Sequence, residues 1–115
     1  MTALSIVTYG RPRIIGLTPS DTNEATMYTA ANLSATAIKI HVANLTASAA
    51  SATVKWGDGS TDTPIISVFS VPARGYLEED IIIPMRNTWT IKVTSGTSNA
   101  LAFSLVILEG EIGVR

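Results

Sequence analysis

Apolar and polar side chains alternate along several short stretches of the sequence, which is the period-two pattern of half-buried β-strands. The clearest stretch is Thr36–Asn44, in which apolar side chains at every second position oppose Lys39 and His41. The same alternation predicts strands over Thr53–Trp56 and Thr88–Thr94. The hydrophobic pattern therefore predicts a protein built mainly of short strands.

Glycine and proline mark the turns between these strands. The Asp-Gly pair within Gly57–Ser60 favours the positive φ angles of a tight turn and predicts a hairpin. Pro72–Gly75 predicts a second turn, between strands at Ile65–Val71 and Tyr76–Ile83. Because Pro84 has no amide hydrogen, the second of these strands must end there or lie at the edge of a sheet.

The N-terminal part of the chain and one alanine-rich segment carry weaker patterns. Three candidate strands, split by glycine, proline and a polar cluster, lie over Ser5–Tyr9, Arg13–Thr18 and Ala25–Ala30. Residues 1–30 are therefore also compatible with an N-terminal arm that reaches a neighbouring molecule. Thr46–Ala52 is rich in alanine but lacks an apolar face for packing, which predicts a loop instead of a helix.

About seven to nine short strands at intervals of about ten residues, without a helical period, predict two antiparallel sheets packed face to face. The predicted fold class is all-β, a single antiparallel β-sandwich of the jelly-roll or immunoglobulin-like kind. A length of 115 residues suits one domain over residues 1–115 and is too short for two.

Two predicted strands are apolar on both faces, whereas a single β-sandwich buries only one face of each strand in its core. Ala100–Leu108 alternates at first and is continuously apolar from Leu105, and Ile81–Ile83 is a second such run. One interpretation is a central strand covered by a loop of the same chain, and the other is a strand face that docks on another subunit. The second predicts an interface of apolar side chains out of phase with their core neighbours, namely Ile66, Val68, Ile82, Val106 and Leu108.

Composition and charge narrow the range of partners. Charged residues make up 15% of the chain, and the formal net charge is −1. A chain whose basic residues are scattered is not expected to bind nucleic acid. The absence of cysteine excludes disulfides and thiolate metal sites and fits assembly in a reducing host cytoplasm. The N-terminus shows no secretion signal and the apolar runs are shorter than a membrane span, so no membrane partner is expected.

The residue inventory does not favour catalysis. The one histidine, His41, lies in mid-strand on the polar side, without an acid to orient it for a nucleophile relay. Asp58, Ser60 and Asp62 alternate around a glycine as in a calcium loop, but a tight turn alone explains them. The carboxylates of Glu78–Asp80 alternate between the faces of a strand. We therefore predict that the protein is not an enzyme and has no catalytic residues, no metal and no cofactor.

Aromatic side chains offer one alternative function. Trp56, Tyr76 and Trp89 are able to stack on sugar rings, as aromatic residues do in carbohydrate-binding or adhesive β-sandwich modules. The two tryptophans are in phase with Val54 and Ile91, which favours their burial in the core. A sugar-binding surface is therefore the less favoured interpretation of these residues.

Several longer segments of the sequence resemble small structural proteins of tailed-bacteriophage virions. The likeness spans roughly residues 36–109 and rests on the sequences of turns and on the order of strands. The segments that carry it are Val54–Thr61, Val71–Leu77, Trp89–Gly96 and Leu105–Glu109. The Trp-Gly-Asp-Gly portion alone is also similar to the turn of polycystic-kidney-disease-type sandwich domains. The phage resemblance carries no catalytic residues and no shared binding motif.

The resemblance implies a non-enzymatic part of a bacteriophage particle, located in the virion. The expected role is a capsid decoration or cement protein that binds the capsid lattice through apolar strand faces, and the alternative within the virion is a neck, tail or fibre accessory. The expected partners are the major capsid protein or neck and tail components, with a homo-oligomer or many copies in the assembly. A carbohydrate-binding or adhesive module is the alternative outside the virion.

Overall fold

Two four-stranded antiparallel sheets pack face to face in the computed structural model, which describes residues 11–31 and 34–110. The strands are β1 (Arg11–Leu17), β2 (Ala25–Thr29), β3 (Ser34–Asn44), β4 (Ala50–Gly57), β5 (Asp62–Val71), β6 (Tyr76–Met85), β7 (Thr90–Ser95) and β8 (Leu101–Gly110). No helix occurs within these two ranges. The all-β sandwich that the alternation predicts is confirmed.

Strand order decides which strands are central and which are edges. The order is β1-β8-β3-β6 in the first sheet and β2-β7-β4-β5 in the second. The turn Pro72–Gly75 joins β5 to β6 and so carries the chain from the edge of the second sheet to the edge of the first. Because β6 is an edge strand, it accommodates Pro84, as the sequence predicts.

The core lies between the sheets and follows the alternation of the central strands. Its largest fully buried side chains include Phe103, Ile40 and Ile91. Trp56 and Trp89 continue the inward rows, lie half-buried against this core, and stack on each other with ring centroids 5.2 Å apart. Their phase predicts this inward position correctly, although neither side chain is fully enclosed.

A buried asparagine holds the loop that follows β3. The side-chain amide of Asn44 donates to the carbonyl oxygens of Ser48, at 2.8 Å, and Val71, at 3.1 Å. Its Oδ1 accepts from the backbone N–H of Thr46 at 2.9 Å and from the hydroxyl of the same residue at 2.8 Å. A buried polar side chain is tolerated when its donors and acceptors are paired in this way, so Asn44 fixes the loop in one conformation.

The structure corrects one boundary in the weakly patterned segments. The loop predicted over Thr46–Ala52 is shorter, because β4 begins at Ala50. Ala50 and Ala52 are buried, so small side chains serve here as inward positions of a strand. Within the segment predicted as an arm, residues 11–30 supply β1 and β2. The predicted strand Ser5–Tyr9 lies outside the described residues.

Bulges on two edge strands change which side chains face the core. On β5, the two residues between Ile66 and Phe69 lie opposite a single residue of β4. An extra residue of this kind bends the strand and shifts the phase of the side chains that follow. Val68, inside the bulge, has a φ of 47°, and Ile82, at a register shift on β6, has a φ of 43°. β-branched residues rarely adopt this left-handed conformation, so both edges are locally distorted.

Candidate protein interface

The outer face of the first sheet is apolar at one end. Ile14 of β1 pairs with Val106 of β8, and Pro12 pairs with Leu108. Leu108 and Pro84 pair with the same residue of β3, so the row of paired residues that contains Leu108 continues to Pro84 at the opposite edge of the sheet. With the exposed Ile82, two residues before Pro84, these residues define the apolar patch: Pro12, Ile14, Ile82, Pro84, Val106 and Leu108.

Exposure separates the patch from the core. Ile14 is 75% exposed, Ile82 is 68% exposed and Leu108 is 36% exposed. On the same strand as Leu108, Leu105 and Ile107 point the other way and are fully buried. The strand β8 is thus apolar on both faces, with the core on one side and the patch on the other. A group of adjacent exposed apolar side chains favours the interpretation that this face docks on another subunit. It does not favour the alternative, in which a loop of the same chain covers the strand.

The five side chains predicted to form an interface do not lie together. Val106 and Leu108 belong to the apolar patch, and Ile82 lies at its β6 edge. Val68 is 69% exposed but lies on β5, in the other sheet. Ile66 is 6% exposed and packs in the core, which corrects its assignment to an exposed surface. The β5 bulge explains the error. Because of the bulge, Ile66 and Val68 do not point to the same face of the sheet, although they are two residues apart.

Four exposed apolar or aromatic side chains were not predicted from the sequence to form an interface. These are Ile14, Leu45, which is 51% exposed, Phe69, which is 48% exposed, and Tyr76, which is 66% exposed. A signal for Ile14 existed, since Ile14 and Ile15 are adjacent and a strand must turn one of them away from the core. Phe69 carried no such signal, because it lies opposite the buried Ala52 on an edge strand and is exposed in spite of this inward phase.

A polar cluster joins the two sheets beside the patch. Tyr28 of β2 donates its hydroxyl to Glu109 of β8 at 2.6 Å, and Arg13 of β1 donates to the same carboxylate at 3.2 Å. The Tyr28 bond, followed by the Arg13 bond, holds the pKa of Glu109 below its ordinary value. Burial and the bond to Glu109 raise the pKa of Tyr28. The cluster therefore fixes the end of the sandwich where Leu108 is exposed.

We expect this cluster to make stability depend on pH. Because the folded pKa of Glu109 is lowered, its contribution is complete above its ordinary pKa of 4.5 and is lost as pH falls through the folded value. Tyr28→Phe should therefore lower the free energy of unfolding by about 1–2 kcal/mol at pH 7, and by less in acid. Urea denaturation of both proteins from pH 7 to pH 3 measures the difference. A difference that is constant across this range contradicts the assignment.

The other residues singled out from the sequence have structural partners. His41 stacks on Tyr76 with ring centroids 5.4 Å apart. The backbone N–H groups of Thr61 and Ser60 hold the pKa of Asp58 below its ordinary value. Within residues 11–31 and 34–110, no group of three or more histidine or acidic side chains is placed to hold a metal ion. In the same ranges no helix is long and apolar enough to cross a membrane.

The proposed sugar-stacking residues are largely occupied by other contacts. Trp56 and Trp89 stack on each other, and Tyr76 stacks on His41. A polar cavity of about 270 Å³ near the β4–β5 turn includes Asp62 and Lys92 in its lining, but these two form an ion pair at 3.1 Å. This geometry does not favour a carbohydrate site over a protein interface.

Comparison with known proteins supports the fold but not a family. No protein-family model matches the sequence, and no curated protein is similar to it. A chain in the acid-stable capsid of Helicobacter pylori bacteriophage KHP30 is similar in structure, with a TM-score of 0.58 and 7% identity, covering 90% of this chain and 91% of that one. A chain of the disulfide-linked pili of Bacillus endospore appendages has a TM-score of 0.55 and 15% identity, with coverage of 96% and 99%.

A third similar structure belongs to infectious bursal disease virus, Gx strain, with a TM-score of 0.50 and 12% identity. The match covers 94% of this chain, which spans only 37% of the length of the viral chain. At these identities the likeness shows a shared fold alone. Since the fold recurs in a phage capsid and in a pilus, function must be argued from the surface.

Proposed function

We propose that this chain is a non-enzymatic structural protein of a virus particle, and specifically a decoration or cement protein of a bacteriophage capsid. The observation that carries the proposal is the apolar patch on the outer face of the first sheet, presented by a fold that a phage capsid chain shares over nearly its full length. The partner is the major capsid protein, and the protein acts in the virion after assembly in the host cytoplasm.

The proposed mechanism is the burial of apolar surface. Isolated apolar side chains are common on protein surfaces, but a contiguous group is typical of contact sites. A specific interface needs roughly 1,000 Å² or more of total buried surface, which is more than six side chains supply, so neighbouring residues of the outer face must contribute. Binding of many copies to a repeating lattice strengthens each contact through avidity.

A neck, tail or fibre accessory is the alternative within the virion. Both roles use a protein contact, so the patch alone supports them equally. Copy number separates them, because a capsid decoration repeats with the lattice whereas a neck or tail component is present in few copies. The carbohydrate-binding alternative has less support, since the tryptophans are packed against each other and against the core.

Particle composition tests the proposal. Purified particles of the virus that encodes this chain should contain it, and quantitative mass spectrometry against the major capsid protein should give a stoichiometric ratio. Cryo-electron microscopy should place it on the capsid surface. Complete absence from washed particles contradicts a virion role, and a ratio of only a few copies per particle supports the neck, tail or fibre alternative over decoration.

A further inference from the structure

The two edges of the first sheet carry opposite charge. The edge strand β1 contributes Arg11 and Arg13, and both residues are exposed. The opposite edge strand, β6, contributes Glu78, Glu79 and Asp80 and no basic residue. Lys39 of β3 forms ion pairs with Glu78 and Asp80, and Glu109 pairs with Arg13, so each edge is partly neutralised. The remaining imbalance is positive at β1 and negative at β6.

The apolar patch also reaches both of these edges. Pro12 and Ile14 lie at the β1 edge, and Ile82 and Pro84 lie at the β6 edge. Two copies placed side by side in the same orientation would therefore bring the β6 end of one patch next to the β1 end of the other. The patches of neighbouring copies would then form one continuous apolar band.

The charged residues lie at nearly the same level along the sheet. Ile15 shares a row with Glu79, through its pairing with Leu105 and the pairing of Ile40 with both Leu105 and Glu79. Arg13 precedes Ile15 by two residues, so it points to the same face of the sheet as Glu79 and is displaced from the Glu79 row by about 7 Å along a strand. The side chains of arginine and glutamate together are long enough to span that displacement.

We propose that copies of this chain associate head to tail, with the β1 edge of one copy against the β6 edge of the next. The occupant of each edge is a second copy of this chain, selected by the charge of Arg13 against Glu79 and by contact of the two patch ends. A head-to-tail contact of this kind produces a ring where the rotation closes and a filament where it does not. The contact is between identical chains and so does not depend on the virion role.

Proline indicates how the edges meet. Pro12 in β1 and Pro84 in β6 have no amide hydrogen, and Ile82 distorts β6 by its positive φ. Such features oppose the pairing of one edge backbone with another. The contact therefore consists mainly of side chains, and the exposed charges make it sensitive to salt.

Charge exchange between the edges tests the proposal. Sedimentation velocity of the full chain, at concentrations up to about 1 mM, should detect self-association that weakens as sodium chloride rises from 50 to about 500 mM. Glu79→Lys and Arg13→Glu should each weaken the association constant about tenfold or more, because like charges then face each other. The double variant should restore it to within a few-fold of the original.

Lys55 and Glu24 provide the matched control. They form an ion pair at 3.3 Å that involves the second sheet, and Lys55 is exposed to the same degree as Lys39. Lys55→Glu, Glu24→Lys and their double variant should leave association unchanged. Circular dichroism melting identifies any variant that fails to fold, and Glu79→Lys, which leaves the Glu109 cluster intact, then decides alone with the salt series. A chain that stays monomeric throughout, or an association that ignores both charge reversals, overturns the proposal.

Discussion

Replacing Leu108 by aspartate should prevent this protein from binding to virus particles while leaving it folded. Leu108 lies near the centre of the row that crosses the outer face of the first sheet, and it points away from the core. A carboxylate at this position would have to be buried without a partner when the patch is covered. Truncation of a hot-spot residue at the centre of an interface costs about 2 kcal/mol or more, which is roughly thirtyfold in affinity. The unpaired carboxylate adds to this cost, so we expect binding to weaken about a hundredfold.

The measurement is co-sedimentation of purified protein with particles from which this chain has been removed. Leu45→Asp is the matched control, because Leu45 is 51% exposed and follows β3 at the end of the sheet away from the patch. Leu45→Asp should bind as the unaltered chain does. Equal binding by Leu108→Asp, in a protein that melts normally, would show that the lattice contact lies elsewhere.

The regular part of the sandwich is readable from the sequence. The strands β7 and β8 follow simple alternation, and their inward residues are those that the pattern predicts. In β3 the pattern holds for Ile40 and Val42, but a register shift next to Ile38 interrupts it. The apolar outer side of β8 is readable in the same way, because Val106 and Leu108 lie between inward positions. Pro84 predicts that its strand either ends there or lies at an edge, and β6 continues to Met85 as an edge strand. The inferences about inward and outward residues use only the fact that a strand has two faces, and the inference about β6 uses the missing amide hydrogen of proline.

The irregular part is not readable, because a bulge leaves no distinct signature in the order of residues. Ile66 and Val68 are two positions apart, so alternation places them on one face, whereas the β5 bulge puts Ile66 in the core and exposes Val68. The early start of β4 was missed for a different reason. Alanine is depleted in strands on average, and only the packing against the opposite sheet makes Ala50 and Ala52 suitable inward residues.

The distribution of proline connects the fold with the proposed role. Pro12, Pro64 and Pro84 lie in β1, β5 and β6, three of the four edge strands, while none of the four central strands contains proline. Exposed strand edges are sites of uncontrolled aggregation, and proline is one of the ways in which proteins blunt them. A protein present in many copies has particular need of this protection. The chain thus opposes backbone pairing at its edges while it leaves an apolar face open for contact.

The sharpest test of that open face compares two leucines of one strand. Leu105 is fully buried, whereas Leu108 is on the opposite face and 36% exposed. Leu105→Ala removes core contacts and leaves a cavity, so the free energy of unfolding should fall by about 2–5 kcal/mol, a large part of the stability of a small domain. Leu108→Ala should cost about 1 kcal/mol, because its side chain is partly exposed and its truncation at the surface leaves no enclosed cavity. Urea denaturation at low protein concentration measures both values. If Leu108→Ala destabilises the isolated chain as much as Leu105→Ala, the outer face is already packed by this chain itself, and the patch has no surface left to offer a partner.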